Sequence, residues 1–257
     1  MTITLGLDVG SLFTKAVLLD GSRILTTAIR ETSGNFTREV EDLISRVLAA
    51  GGVSREDVAE IVSTGQGDEL VEQAHFCEDD VACIAAATRH LLPDTELTIE
   101  IGGQSITGVL SNPQGEVVNF MRNDKCASGS GRFIEVISSA LGINIDLLDE
   151  TVEQASKKIA VSTQCAVFAE SEIISHVNQG EAVPDILAGV CDSMARIVIS
   201  QALRFGPVER YTVTGGVARL SSIVKILQER LHGQYRPFPI DPQFAAAYGA
   251  ALLGQQE

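Results

Sequence analysis

Basic residues are scarce in this sequence: 19 Lys and Arg stand against 34 Asp and Glu, a formal net charge of -15. The cations do not cluster, which argues against a nucleic-acid surface of the electrostatic kind. An acidic chain that binds a nucleotide has to build its phosphate site from backbone amides and a metal ion. No apolar run approaches the roughly 20 residues that span a bilayer, so no membrane association is expected. The start MTITLGLDVG lacks the basic region and small-residue cleavage site of a secretory signal, and a cytoplasmic location is the expectation. The five cysteines, Cys77, Cys83, Cys126, Cys165 and Cys191, form an odd set without a C-x-x-C pair. That disfavours both a disulfide framework and a zinc site within one chain. With 257 residues and 45% hydrophobic content, the chain can bury its own core without such staples.

What is present alternates between strand and helix patterns. TITLGLDVG reads as a strand ending in a glycine turn, and TKAVLL and RILTTAI continue it antiparallel by their alternation and β-branched content. From Phe36 to Leu48 the apolar residues Val40, Leu43, Ile44, Val47 and Leu48 recur at helical spacing, with Gly51 and Gly52 as the stop. EIVSTGQG is a further strand into a glycine turn, and DDVACIAAATRHLL is a helix closed before Pro93. At Thr95 the pattern restarts: ELTIEIGGQSITGVLSNPQGEVVNF reads strand, glycine turn, strand, hairpin, strand. Helices follow at roughly 130–141, 166–178, 185–205 and 219–232, and a short one begins near Pro242. LGLDVGSLFTKAVLL and LTIEIGGQSITGVL share one pattern, so two similar half-domains are implied. The expected division is 1–94 plus 241–257 against 95–240, in an α/β protein with a cleft between its halves.

Each of the two turns sets an acid before glycine, where backbone N–H groups can approach an anion without a side chain in the way. Asp8 and Glu100 are placed to hold a hydrated Mg2+ against phosphates. YTVTGGVARLSSIVKILQERL adds a strand that delivers Gly215 and Gly216 to the start of a helix, suited to the adenosine side of a nucleotide. The three motifs, in this order, resemble the actin, sugar-kinase and heat-shock ATPase superfamily. The match runs over Asp8 to Lys15 with Gly10, Ser11 and Thr14, over Glu100 to Gln104 with Gly102 and Gly103, and over Thr214 to Val217. The resemblance implies two actin-like (ribonuclease H-like) half-domains with mixed sheets and ATP in the cleft between them. The superfamily usually has Asp where Glu100 stands, and Glu carries its carboxylate about one methylene further out. Asp8, Glu100 and Gln104 are the candidates for the Mg2+ clamp and the positioning of the attacking water. No Walker A motif is present, and both N-terminal turns lead into strands without G-x-G-x-x-G, which disfavours P-loop and Rossmann proteins.

NDKCASGSGRF sets Cys126 just ahead of a helix whose apolar face is Phe133, Val136, Ile137, Ala140 and Leu141, with Ser128 or Ser130 as a possible cap. VSTQCAVFAESEIISHVNQG repeats the arrangement, with Ser162 or Thr163 as cap, Cys165 in the first turn, Glu170 and Glu172 soon after, and Gly180 as the stop. Positive helix ends favour thiolate, the metal-binding form. Cys191 shares a face with Leu187, Met194 and Val198, and Cys83 sits in an Ala-rich helix, so both read as core, while Cys77 lies in the loop HFCEDD. Two thiolates are half of the ligand set of a cubane iron–sulfur cluster.

NDKCASGSGRF and QCAVFAESE closely resemble the activator, or archerase, ATPases of 2-hydroxyacyl-CoA dehydratases and the related ATPase subunits of benzoyl-CoA reductase; the resemblance covers essentially the whole chain. It implies a 4Fe-4S cluster shared between two subunits, held by Cys126 and Cys165 of each, in a homodimer or a heterodimer with a paralogous subunit. It also implies reduced ferredoxin or flavodoxin as donor and an acyl-CoA dehydratase or reductase as the acceptor of a low-potential electron under anaerobic conditions. ATP hydrolysis would change the angle between helices that point at the cluster. Two alternatives stand beside this reading: a small-molecule kinase of the same superfamily, whose cysteines merely pack, and a non-hydrolysing nucleotide-binding subunit.

Overall fold

The computed structural model describes residues 2–33, 36–123, 129–161 and 166–255. The chain begins β1 (Ile3–Val9), β2 (Phe13–Asp20), β3 (Arg23–Glu31), α1 (Phe36–Gly51), β4 (Val58–Thr64), β5 (Phe76–Cys77) and α2 (Asp80–Leu91). It continues β6 (Leu97–Ile101), β7 (Ile106–Ser111), β8 (Val117–Asn123), α3 (Gly131–Ala140), α4 (Leu148–Val152), α5 (Ala166–Asn178) and α6 (Val183–Ala202). β9 (Arg210–Thr214), α7 (Ser221–Arg230), β10 (Gln234–Tyr235) and α8 (Ala245–Leu253) complete it.

These strands form two five-stranded sheets, ordered β3-β2-β1-β4-β5 and β10-β9-β6-β7-β8. Counted from β6, the second order repeats the first: a meander of three strands, extended beyond its first strand by two later ones. In the first sheet β1 pairs antiparallel with β2 and parallel with β4, so the sheet is mixed. A strand flanked on both sides must be apolar along most of its length, and β1 is buried from Thr4 onward. Asp8 and Glu100 are each the penultimate residue of such a central strand. The duplicated pattern in the sequence is therefore a duplicated topology.

Two compact units result: residues 1–98, 109–120 and 237–257 form one, and residues 99–108 and 121–236 the other. In the first, the period of two in β1 and β2 sorts side chains onto opposite faces. Leu5, Leu7, Val9, Ala16 and Leu18 join Val40, Leu43, Ile44, Val47 and Leu48 of α1, the whole stripe expected from the helical spacing. Val17 and Leu19 face the other way and pack with Ala247, Tyr248 and Ala251 of α8. This second layer approaches the sheet very closely. A Cβ on Gly6 would lie 1.9 Å from the Ala247 carbonyl oxygen, and one on Gly249 would lie 1.8 Å from that of Cys83 in α2.

In the second unit α6 is the central helix, packed by α3, α4, α5 and α7. Val183–Phe205, 23 residues, is long and apolar enough by composition to cross a membrane, which the sequence reading did not anticipate because acids interrupt the run; 67% of its most apolar window is buried in the fold. Its acids are matched by backbone amides and by cations. Asp185 accepts the Ser156 and Lys157 amides at 2.7 and 3.0 Å, and Asp192 pairs with Arg230, Arg196 and Lys158.

Three sequence expectations change. α3 buries Phe133, Ile134, Ile137 and Ser138, and Ala140 is exposed, so the inward face is rotated toward the Ile134 side. Cys77 belongs to a short edge strand beside β4 instead of a loop. The helix after Gly216 begins only at Ser221, behind a 3-10 turn over Gly216–Arg219.

Substituting Gly249→Ala should force α8 off α2 at a cost of about 3 kcal/mol, in the overpacking range, and lower Tm by roughly 6 °C or more. An unchanged Tm would refute the close approach.

Candidate functional site

The β1–β2 turn is built by backbone closure. The Gly10 amide donates to the Phe13 carbonyl at 3.1 Å, which folds Gly10, Ser11 and Leu12 into a tight loop whose Gly10 N–H is occupied internally. The residue after β3 braces that loop. The Thr32 amide donates to Leu12 O at 2.8 Å, and its hydroxyl donates to Gly10 O at 2.9 Å. With that proton committed, Thr14 Oγ1, 3.1 Å from Thr32 Oγ1, acts as donor to it. Asp8 sits opposite Lys15 in β2 and Thr64 in β4. Lys15 Nζ donates to Asp8 Oδ2 at 2.8 Å, with side-chain exposures of 16% and 12%. A pair this protected holds both groups in place, since removing one partner strands the other charge. Gly65, at φ +94°, allows the β4 end to close on Asp8: a Cβ there would lie 2.7 Å from Oδ1.

The second turn repeats the first. Gly102 N–H donates to Ser105 O at 2.9 Å, the same three-residue closure, and Gln104 projects from it exposed. Here the bracing comes from a helix. The Gly131 and Arg132 amides, first in α3, donate to Gly102 O at 2.9 Å and Gly103 O at 2.8 Å. Two donors that would otherwise need a cap are thereby satisfied by the turn. Ser130 is the N-cap residue, yet its side chain makes no capping bond; Ser128 lies outside the described residues.

Glu100 is bonded by the Thr214 hydroxyl at the end of β9. Gly215, at φ +88°, follows, and a Cβ there would meet Ile101 O at 2.4 Å and Glu100 Oε1 at 2.7 Å. The amides at the start of α7 do not face a ligand. Asp149 accepts Ser221 N–H at 2.8 Å and Ser222 N–H at 3.0 Å. Burial pushes the Asp149 carboxyl up, but the bonds from Ser222 and Ser221 outweigh it and leave it below its ordinary value. The first amides of α7 are thus taken within the fold, and only the Gly215–Gly216 turn keeps the place expected for the third motif.

The structure brings Asp8, Gly10, Thr14 and Lys15 together in one unit, and Glu100, Gly102, Gly103 and Gly215 in the other. Cys126 and Cys165 lie outside the described residues, as do Ser162 and Thr163. Among the described residues no group of three or more His, Cys, Asp or Glu side chains is placed to hold a metal ion. Cys83 and Cys191 are buried core residues, as expected; burial pushes the Cys191 thiol up to about 12 and raises Cys83 as well. Thr32 and Asp149 carry no signal in the sequence, because each acts on a segment distant along the chain.

The chain matches the BadF/BadG/BcrA/BcrD ATPase family over residues 5–254. It belongs to that family. It is 36% identical to the (R)-2-hydroxyglutaryl-CoA dehydratase activating ATPase of Acidaminococcus fermentans, over 99% of this chain and 97% of that one. The activator of lactoyl-CoA dehydratase from Anaerotignum propionicum is 34% identical over 98% and 97% of the respective chains. The solved activator of 2-hydroxyisocaproyl-CoA dehydratase from Clostridium difficile, with bound ADPNP, superposes with a TM-score of 0.93 at 32% identity, covering 99% of this chain and 95% of that one. The fold is thus the two-lobed actin-like one, and membership of this ATPase family supports ATP binding.

Two measurements check this geometry. Thr32→Val should weaken nucleotide binding about tenfold, the worth of roughly one hydrogen bond, with Thr32→Ser close to native; equal affinity in all three would remove Thr32 from the site. Peptide-resolved alkylation of the folded protein should label Cys77 and spare Cys83 and Cys191 until denaturant is added.

Proposed function

We propose that this member of the BadF/BadG/BcrA/BcrD ATPase family is an ATP-hydrolysing activator that passes a low-potential electron to an acyl-CoA dehydratase or reductase. The observation that carries the reading is the bonding of α3 to the Gly102–Gly103 turn. It ties a nucleotide-type turn to the start of α3, and Cys126 precedes α3 by only a few residues in the sequence. Whatever displaces the turn acts on the first residues of α3.

Within this reading Asp8 and Glu100 hold Mg2+, for which carboxylate oxygens are suitable donors. Lys15 neutralises Asp8 and adds positive potential for phosphate, while Gly10, Ser11, Thr14, Gly102 and Gly103 shape the cradles. Gln104, exposed on its turn, orients the attacking water, and Gly215 with Gly216 faces the adenosine. Cys126 and Cys165 of each of two subunits hold one 4Fe-4S cluster, thiolates being the donors such clusters take. When bound, the cluster supplies one-electron chemistry at low potential. An interface is supported by α5, the helix directly after Cys165, where Phe168, Ile174 and Val177 are 67%, 49% and 44% exposed. Reduced ferredoxin or flavodoxin is the donor, and the location is cytoplasmic, in keeping with an α6 buried in the fold.

Anaerobic purification tests the proposal. Iron–sulfur absorption with about four iron per dimer is expected, lost in Cys126→Ala and in Cys165→Ala while ATP binding persists. A colourless, iron-free monomer would overturn it.

A further inference from the structure

Glu100 lies just before the second glycine turn, and one oxygen of its carboxylate is hydrogen-bonded from the end of a neighbouring strand. Thr214, fully buried at the end of β9, donates its hydroxyl to Oε2. On the other side the bare Cα of Gly215 leaves room for Oε1, 2.7 Å from where a Cβ would stand. β9 lies beside β6 in the sheet, so the contact joins two strand ends that are far apart in sequence. A glutamate alone on its strand would sample several rotamers; this one is held by a donor with no exposure of its own.

We propose that Thr214 is a positioning residue for Glu100. Its hydroxyl fixes the carboxylate that, in the function proposed above, holds Mg2+, and it makes that carboxylate move with the Gly215–Gly216 turn. Occupation of the turn by the nucleoside then sets the carboxylate's position, so the nucleoside end of the ligand reports to the phosphate end through one side-chain bond. The length of Glu matters here. Aspartate at this position stops about one methylene short and does not reach Thr214 while the strand ends keep their places. The proposal rests on the nucleotide reading of the site.

The test is a double-mutant cycle on the complete protein with MgATP, MgADP and metal-free ADP as probes. Thr214→Val should lower kcat for ATP about tenfold, with KM within about threefold of native. It should also weaken MgADP binding more than metal-free ADP binding. Thr214→Ser should restore both. In the Glu100→Asp background Thr214→Val should cause no further loss, because the bond it removes is already absent. Equal losses in the two backgrounds, or an unchanged ratio of MgADP to ADP affinity, would overturn the proposal. Thr214→Ala repeats the cycle if the valine variant does not fold. A native protein that binds MgADP without hydrolysing ATP would count against hydrolysis, not against Thr214, which the affinity ratio still decides.

Discussion

One backbone hydrogen bond, from a glycine amide to the carbonyl three residues on, shapes both halves of this protein. It closes the turn after β1 between Gly10 and Phe13 and the turn after β6 between Gly102 and Ser105. In each case the strand before the turn is central in its sheet, and the acid is its penultimate residue. A central strand cannot shift without breaking ladders on both sides. The acid is therefore presented by the least movable part of the sheet, and the turn returns the chain at once into the next strand. Each turn is braced within its own unit, the first by Thr32 after β3 and the second by the amides of α3, with Thr214 of β9 holding the second acid.

The sequence made the duplication legible because it is written in local terms. A strand period, an acid and a glycine turn recur in the same order, and each is visible within about ten residues. The α1 stripe was equally clear, since five apolar positions at helical spacing admit one packed face. The less legible parts depend on partners that are distant in sequence. The inward face of α3 follows from its anchorage to the Gly102–Gly103 turn, which counts Ser138 as inside and Ala140 as outside. The delayed start of α7 follows from Asp149, a residue 72 positions from Ser221, whose carboxylate takes the terminal amides. Neither relation leaves a periodicity to read.

In an acidic chain with few cations, where a charge is placed counts for more than how many there are. Lys15 is set against Asp8 behind the turn, and the turns supply dipoles. The two acids of α6 are bonded within the second unit, Asp185 on backbone amides and Asp192 among three cations. These internal pairs let the largely buried helix α6 carry acids within a run apolar enough to resemble a membrane segment.

The contact of α8 with β1 also bears on the order in which the protein is made. Gly6 accepts the backbone of Ala247 against it, and Thr4 donates its hydroxyl to Ala251 O at 2.8 Å, 247 positions along the chain. On the ribosome the first sheet emerges early with one face uncovered, and the helix that covers that face follows only after the entire second unit has been synthesised. The second unit can therefore complete its packing first, while the half that begins the chain must wait with an apolar surface exposed to chaperones and to its neighbours.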